Sequence, residues 1–176
     1  SHSRLLYFQR MVENFGLRNQ VLMALDLEHA YWRTFLAASV LHENVDAALT
    51  EMRARGIRIA IVTDLTAQIQ LRKVAHFRLD RHIDCIVTSE EAGADKISLK
   101  PFELALRKLG LDTSARLWAI GDDVGDMAAS QLSDQVATLQ FRSPRAKVLD
   151  CHASFHSFAS LLSLVAGLPP RRQVSR

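Results

Sequence analysis

The chain has 176 residues, 48% of them hydrophobic and 23% charged, with a formal net charge of +3. This is the length of one domain, or of one domain with a small insertion, and it holds enough apolar material for a real core. Scattered basic residues exclude a nucleic-acid footprint, and no apolar run reaches the roughly 20 residues of a membrane span.

Residues 4 to about 55 read as helix throughout. "RLLYFQRMVENFG" sets Leu5, Phe8, Val12 and Phe15 at helical spacing, and Gly16 is placed to stop it. The next stretch aligns Leu22, Leu25, His29, Trp32 and Leu36 along one face. Its aromatic stripe of Tyr31, Trp32 and Phe35 reads as core packing, with a ligand wall as the alternative. Asn44 is positioned to cap a third helix, which Gly56 ends.

From residue 57 short apolar runs alternate with helices. Strands are expected over 57–63, 83–89, 116–122 and 135–141. Helices are expected over 66–77, over 98–110 with Ser98 as cap and Gly110 as stop, after residue 122, and over 155–165. Near-continuous apolar strands with helical crossovers predict an α/β fold, a Rossmann-like parallel sheet with helices on both faces. The last stretch, 167–176, is expected to be a flexible tail. Cys85 and Cys151 are expected as buried free thiols. Nothing resembles a signal peptide, so a cytoplasmic location is expected.

Ligands of open parallel sheets bind beyond the carboxyl ends of the strands. There the first strand delivers Thr63 and Asp64, the second Thr88 to Glu91 and then Lys96, and the third Asp122, Asp123 and Asp126. Hard carboxylate oxygens suit Mg²⁺ beside a phosphate, and an ammonium and a hydroxyl suit phosphoryl oxygens. Each element has a structural reading as well. Thr63 can cap its strand, Asp64 can open a helix, and Lys96 can be a solvated charge. Asp122 and Asp126 are harder to explain that way. Set four apart, they face one way on a first helical turn, and capping accounts for only one of them.

In this order and spacing the elements resemble the haloacid dehalogenase superfamily. Its second motif is matched by "IAIVTD" with Thr63, its third by "SEEAGADKIS" with Lys96, and its fourth by "AIGDDVGD" with Asp122 and Asp126. The resemblance covers about residues 5 to 165. It implies a helical cap over 4–43 and an α/β core over 44–166. It also implies a Mg²⁺-dependent phosphatase acting on a small phosphorylated metabolite through an aspartyl phosphate, with no nucleic-acid or membrane partner. Thr63 and the backbone amide of Asp64 would bind phosphoryl oxygens, and Lys96 would counter their charge. Asp122 would ligate Mg²⁺, Asp126 would ligate it through water or hold Lys96, and Asp123 is a third candidate ligand.

Two departures stand out. Ile97 follows Lys96 where the family usually has proline; Lys100 and Pro101 lie four residues late, and the "SEE" phrase fixes the register on Lys96. The family's first motif, a strand ending DxDx[TV] that supplies the nucleophile, is not found before residue 57. Asp26 and Glu28 sit in a helical pattern and are poor substitutes. The chain alone is therefore expected to be inactive, and the alternative is a non-catalytic module that binds a partner. The order Thr, Lys, acidic cluster disfavours a response-regulator receiver domain. The first-motif strand is expected between the strands ending at Thr63 and at Gly121, supplied by an upstream segment or by a second copy in a homodimer; the alternative is that the strands close up in a different order.

Overall fold

A computed structural model of the chain describes residues 3–168. Of the tail expected over 167–176, residues 169–176 lie outside the described residues. Helix α1 (Arg4–Asn14) packs against α2 (Val21–Ala38), with Gly16 making the turn between them at φ +73°. The covered face of α2 is Ala24, Glu28 and Trp32; of the expected row Trp32 is buried and Leu25 and Leu36 are half-buried, while His29 is exposed and Leu22 is 77% exposed. The hydrophobic pattern marks several apolar positions on α2, and α1 covers only one narrow side of them.

Of the aromatic stripe only Trp32 is core, with Tyr31 half-buried and Phe35 39% exposed. Tyr31, Trp32 and Phe35 stack or meet edge-on, and Phe8 from α1 closes the group. His42, in the segment leaving α2, packs against both Phe141 and Phe158, which also meet each other. No helix of the described residues is long and apolar enough to cross a membrane.

Helix α3 (Val45–Ala54) follows Asn44, which makes no side-chain cap; it takes the left-handed conformation at φ +64°, which asparagine tolerates. Then come β1 (Ala60–Thr63), α4 (Ala67–His76), β2 (Cys85–Thr88) and the short α5 (Ser89–Ala92). Helix α6 (Lys100–Lys108) precedes β3 (Leu117–Gly121), the short α7 (Val124–Met127), β4 (Val136–Phe141), β5 (Ala153–Phe155) and α8 (Phe158–Ala166). The strand expected from residue 57 starts later. Before it, the Asp84 carboxylate accepts from Ile59 N at 2.6 Å in place of a ladder bond.

Ser98 does not cap α6. Its hydroxyl closes a 3₁₀ turn by donating to Asp95 O at 2.8 Å, and α6 begins beyond Leu99, with Pro101 in its first turn. Strand β5 is not among the expected elements; only its last residue, Phe155, falls in the expected last helix, which instead starts at Phe158 behind the cap Ser157. Cys85 and Cys151 are both free, and both are half-buried rather than buried.

All strand pairings are parallel. β1 pairs β2 with Thr63 opposite Thr88, and β3, β4 and β5 form a second group with Gly121 opposite Gln140. The core sits under α3 and α8, where Met52, Leu161 and Val165 pack on Leu139 and Phe155. Among the described residues no strand ladder joins the two groups. On β3, next to that division, Trp118 and Ile120 stay 37% and 36% exposed, although their register neighbours Ala137 and Leu139 belong to the core.

Candidate active site

The loops after β1 and β2 are built as one unit. Thr63 Oγ1 accepts from Leu65 N at 3.2 Å, tightening the turn after β1. Ser89 Oγ then donates to Asp64 O at 3.0 Å, and Glu90 accepts from Ala67 N at 2.8 Å, satisfying an orphan donor of the first turn of α4. Glu91 holds Lys108 Nζ at 2.8 Å, and Thr88 caps α5 by accepting from Glu91 N at 3.2 Å. Finally, the Asp64 carboxylate accepts from Lys96 N at 2.8 Å. Each residue of the "SEE" phrase thus braces a neighbouring loop or helix.

The turn after β3 is built around Asp126. Asp123 is the N-cap of α7 and accepts from Asp126 N at 3.0 Å, while Asp126 Oδ2 accepts from Asp123 N at 3.2 Å, a reciprocal capping box. Asp126 Oδ2 also accepts from Asp122 N at 3.1 Å. This fold-back needs Gly121, because a Cβ there would fall 2.0 Å from Asp126 Cγ.

Lys96 joins the two halves. Its Nζ lies 2.6 Å from Asp126 Oδ1 and 3.3 Å from Asp123 Oδ2. Lys96 is 6% exposed and Asp126 9%, so this is a nearly buried ion pair. Burial alone would lower the Lys96 pKa; the hydrogen bond to Asp126 and the charges of Asp126, Asp123 and Asp64 outweigh it and hold the ammonium above the usual lysine range. The solvated-charge reading of Lys96 does not fit this burial.

Asp122, Asp123 and Asp126 each offer one oxygen, all within 4.8 Å of one another. Asp126 is fully engaged, with Lys96 on one oxygen and two amides on the other. The exposed Asp122 carboxylate has no hydrogen-bond or ion-pair partner among the described residues. An all-oxygen donor set with one open carboxylate fits a hard cation such as Mg²⁺. Lys96, Asp122, Asp123 and Asp126 thus come together, Asp64 reaches them through the Lys96 backbone, and Thr63 is one residue further back. The bracing by Ser89 and Glu90 and the clearance at Gly121 were not foreseen; the "SEE" and "GD" phrases were their only sequence signal.

The fold and this site define a parallel α/β domain with an acidic turn opposite a lysine loop. Residues 8–136 match the family described as haloacid dehalogenase-like hydrolase, and the chain belongs to that family. It is 36% identical over 124 residues to the ribulose-1,5-bisphosphate 5-phosphatase of Halopiger xanaduensis, covering 70% of this chain and 52% of that protein. It is 27% identical over 96 residues to the glyceraldehyde 3-phosphate phosphatase of Methanothermobacter thermautotrophicus, covering 54% of this chain and 42% of that protein. The chain thus spans about half the length, or less, of the curated relatives it matches. Among solved structures, a subfamily IA hydrolase of the superfamily from Geobacter sulfurreducens superposes with a TM-score of 0.67 at 15% identity, over 94% of this chain and 74% of that one. CbbY from Rhodobacter sphaeroides in complex with phosphate gives 0.66 at 16%, over 82% and 67%. These two likenesses concern the fold.

Proposed function

We propose that the whole protein is a Mg²⁺-dependent, cytoplasmic phosphatase that hydrolyses a small phosphorylated sugar through an aspartyl phosphate. The observation that carries this reading is the buried Lys96–Asp126 pair beside the open carboxylate of Asp122. The two curated relatives are named for a sugar bisphosphate and a triose phosphate, which supports this substrate class. Residues 4–43 serve as the cap and 44–166 as the core.

In this reading Asp122 would hold Mg²⁺ with Asp123 as a second donor, and the cation would supply neutralisation of phosphate charge. Asp126 holds Lys96 rather than the cation. Lys96 counters the charge of the phosphoryl oxygens, and Thr63 with the Asp64 amide orients them. The nucleophilic carboxylate belongs on a further strand between β1 and β3. The missing ladder there and the exposure of Trp118 and Ile120 beside it support that position. An upstream segment of the whole protein supplies that strand and its carboxylate.

The test is phosphate release by the full-length gene product from a panel of phosphorylated sugars, with Mg²⁺ and with a chelator. Mg²⁺-dependent release is expected. A full-length product that releases none, and has no DxDx[TV] strand upstream, is instead a binding module.

A further inference from the structure

The three bonds between the β1 and β2 loops are not equivalent. Ser89 and Glu90 brace the β1 loop and the start of α4. Only the Asp64 carboxylate reaches forward to the residue whose side chain enters the acidic turn, accepting from Lys96 N at 2.8 Å. Lys96 opens the 3₁₀ turn Lys96–Ser98, so its amide is an orphan donor of that turn and takes its partner from outside it. The next residue, Ile97, is 62% exposed and has no ring to fix its φ. The rest of the turn is closed by Ser98 N and Ser98 Oγ on Asp95 O, at 3.0 and 2.8 Å, and by Leu99 N on Lys96 O at 3.0 Å.

We propose that Asp64 is a positioning residue: its carboxylate pins the Lys96 backbone to the end of β1 and so aims the ammonium at Asp126 and the phosphate position. This rests on the phosphatase reading only for its effect on rate. The lysine side chain has four rotatable bonds, and burial of Nζ against Asp126 does not by itself locate its Cα. With the backbone pinned at one end and Nζ bonded at 2.6 Å at the other, the chain spans two fixed points. The same bond ties the lysine to the turn that carries Thr63, so phosphate-binding groups from two loops keep one geometry. The Asp64 carboxylate therefore acts through Lys96 and does not itself touch the reacting atoms.

Two readouts test this. In the full-length protein, hydrogen exchange at the Lys96 amide should be slow, should speed up at least tenfold in Asp64→Ala, and should stay slow in Asp64→Asn, whose Oδ1 accepts the same bond. In the full-length enzyme, Asp64→Ala should lower kcat on the order of 10- to 100-fold, Asp64→Asn should restore most of it, and Asp64→Ala should add little in a Lys96→Met background. Unchanged exchange in Asp64→Ala, or Asp64→Asn as impaired as Asp64→Ala in both readouts, would overturn the proposal. A full-length protein without phosphatase activity would end the phosphatase reading, while the exchange readout would still decide the tether.

Discussion

Lys96 Nζ lies 2.6 Å from Asp126 Oδ1, and this bond connects two strand groups that share no ladder among the described residues. Both residues are nearly buried. Removing one partner leaves an uncompensated charge, a loss of roughly 3–5 kcal/mol. Lys96→Met should therefore lower the unfolding free energy by several kcal/mol, and Lys96→Met with Asp126→Asn should cost less than the sum of the single changes. Urea unfolding of the four proteins measures this. Additive losses would mean that the pair does not couple the two halves.

Gly121 carries a second consequence of the same fold-back. A methyl group there would need the space of the Asp126 carboxylate, 2.0 Å away. Gly121→Ala should destabilise the protein by about 1–3 kcal/mol through overpacking and release Asp126 from the Asp122 and Asp123 amides. Amide chemical shifts at residues 122 and 123 would report the release. A variant with wild-type stability and shifts would contradict the geometry.

Asp122 and Asp126 should separate by function. Asp122→Asn removes an exposed carboxylate without a described partner, so stability should change by less than about 0.5 kcal/mol while Mg²⁺ affinity falls. Asp126→Asn should destabilise first. Calorimetric Mg²⁺ titration alongside thermal unfolding makes the comparison, in the full-length protein where the donor set is complete. Equal destabilisation by both changes would argue against a division of labour.

Much of this site was legible because its chemistry is local. Thr63, Lys96 and the three aspartates follow apolar strands at spacings that place them at the carboxyl edge. What could not be read was which carboxylate faces which partner. Four-residue spacing put Asp122 and Asp126 on one helical face, yet α7 starts only at Val124, and Asp126 turns back on Gly121. Ser98 looks like a cap because it precedes an apolar period, but its hydroxyl finds a closer acceptor in Asp95. Strand β5 has three residues, too few for alternation to register. The covered face of α2 depends on α1, which periodicity within α2 does not encode.

Asp84 sets an acid dependence. Burial would raise its pKa, but the bond from Ile59 N and the two from Arg53 Nη1, at 2.7 and 2.8 Å, outweigh it and hold the carboxyl below the usual range. A depressed folded pKa stabilises above the unfolded value, about 3.9, and that contribution is lost as pH falls through the folded one. Both side chains are partly exposed, 26% for Asp84 and 41% for Arg53, so the contribution is about 1 kcal/mol. Wild type should exceed Asp84→Asn in stability by a constant amount between pH 5 and 8, and the gap should close below about pH 4. A gap that widens on acidification would contradict the assignment.

The central claim is that Thr63, Lys96 and Asp122 form the electrostatic half of a phosphatase whose nucleophile comes from a further strand. Its most direct test is release of inorganic phosphate from a phosphorylated sugar in Mg²⁺, measured in parallel on residues 1–176, the full-length protein and full-length Asp122→Ala. The account predicts release by the full-length protein alone, because without the nucleophile the remaining groups offer only charge stabilisation. Robust turnover by residues 1–176, or undiminished turnover by Asp122→Ala, would contradict it.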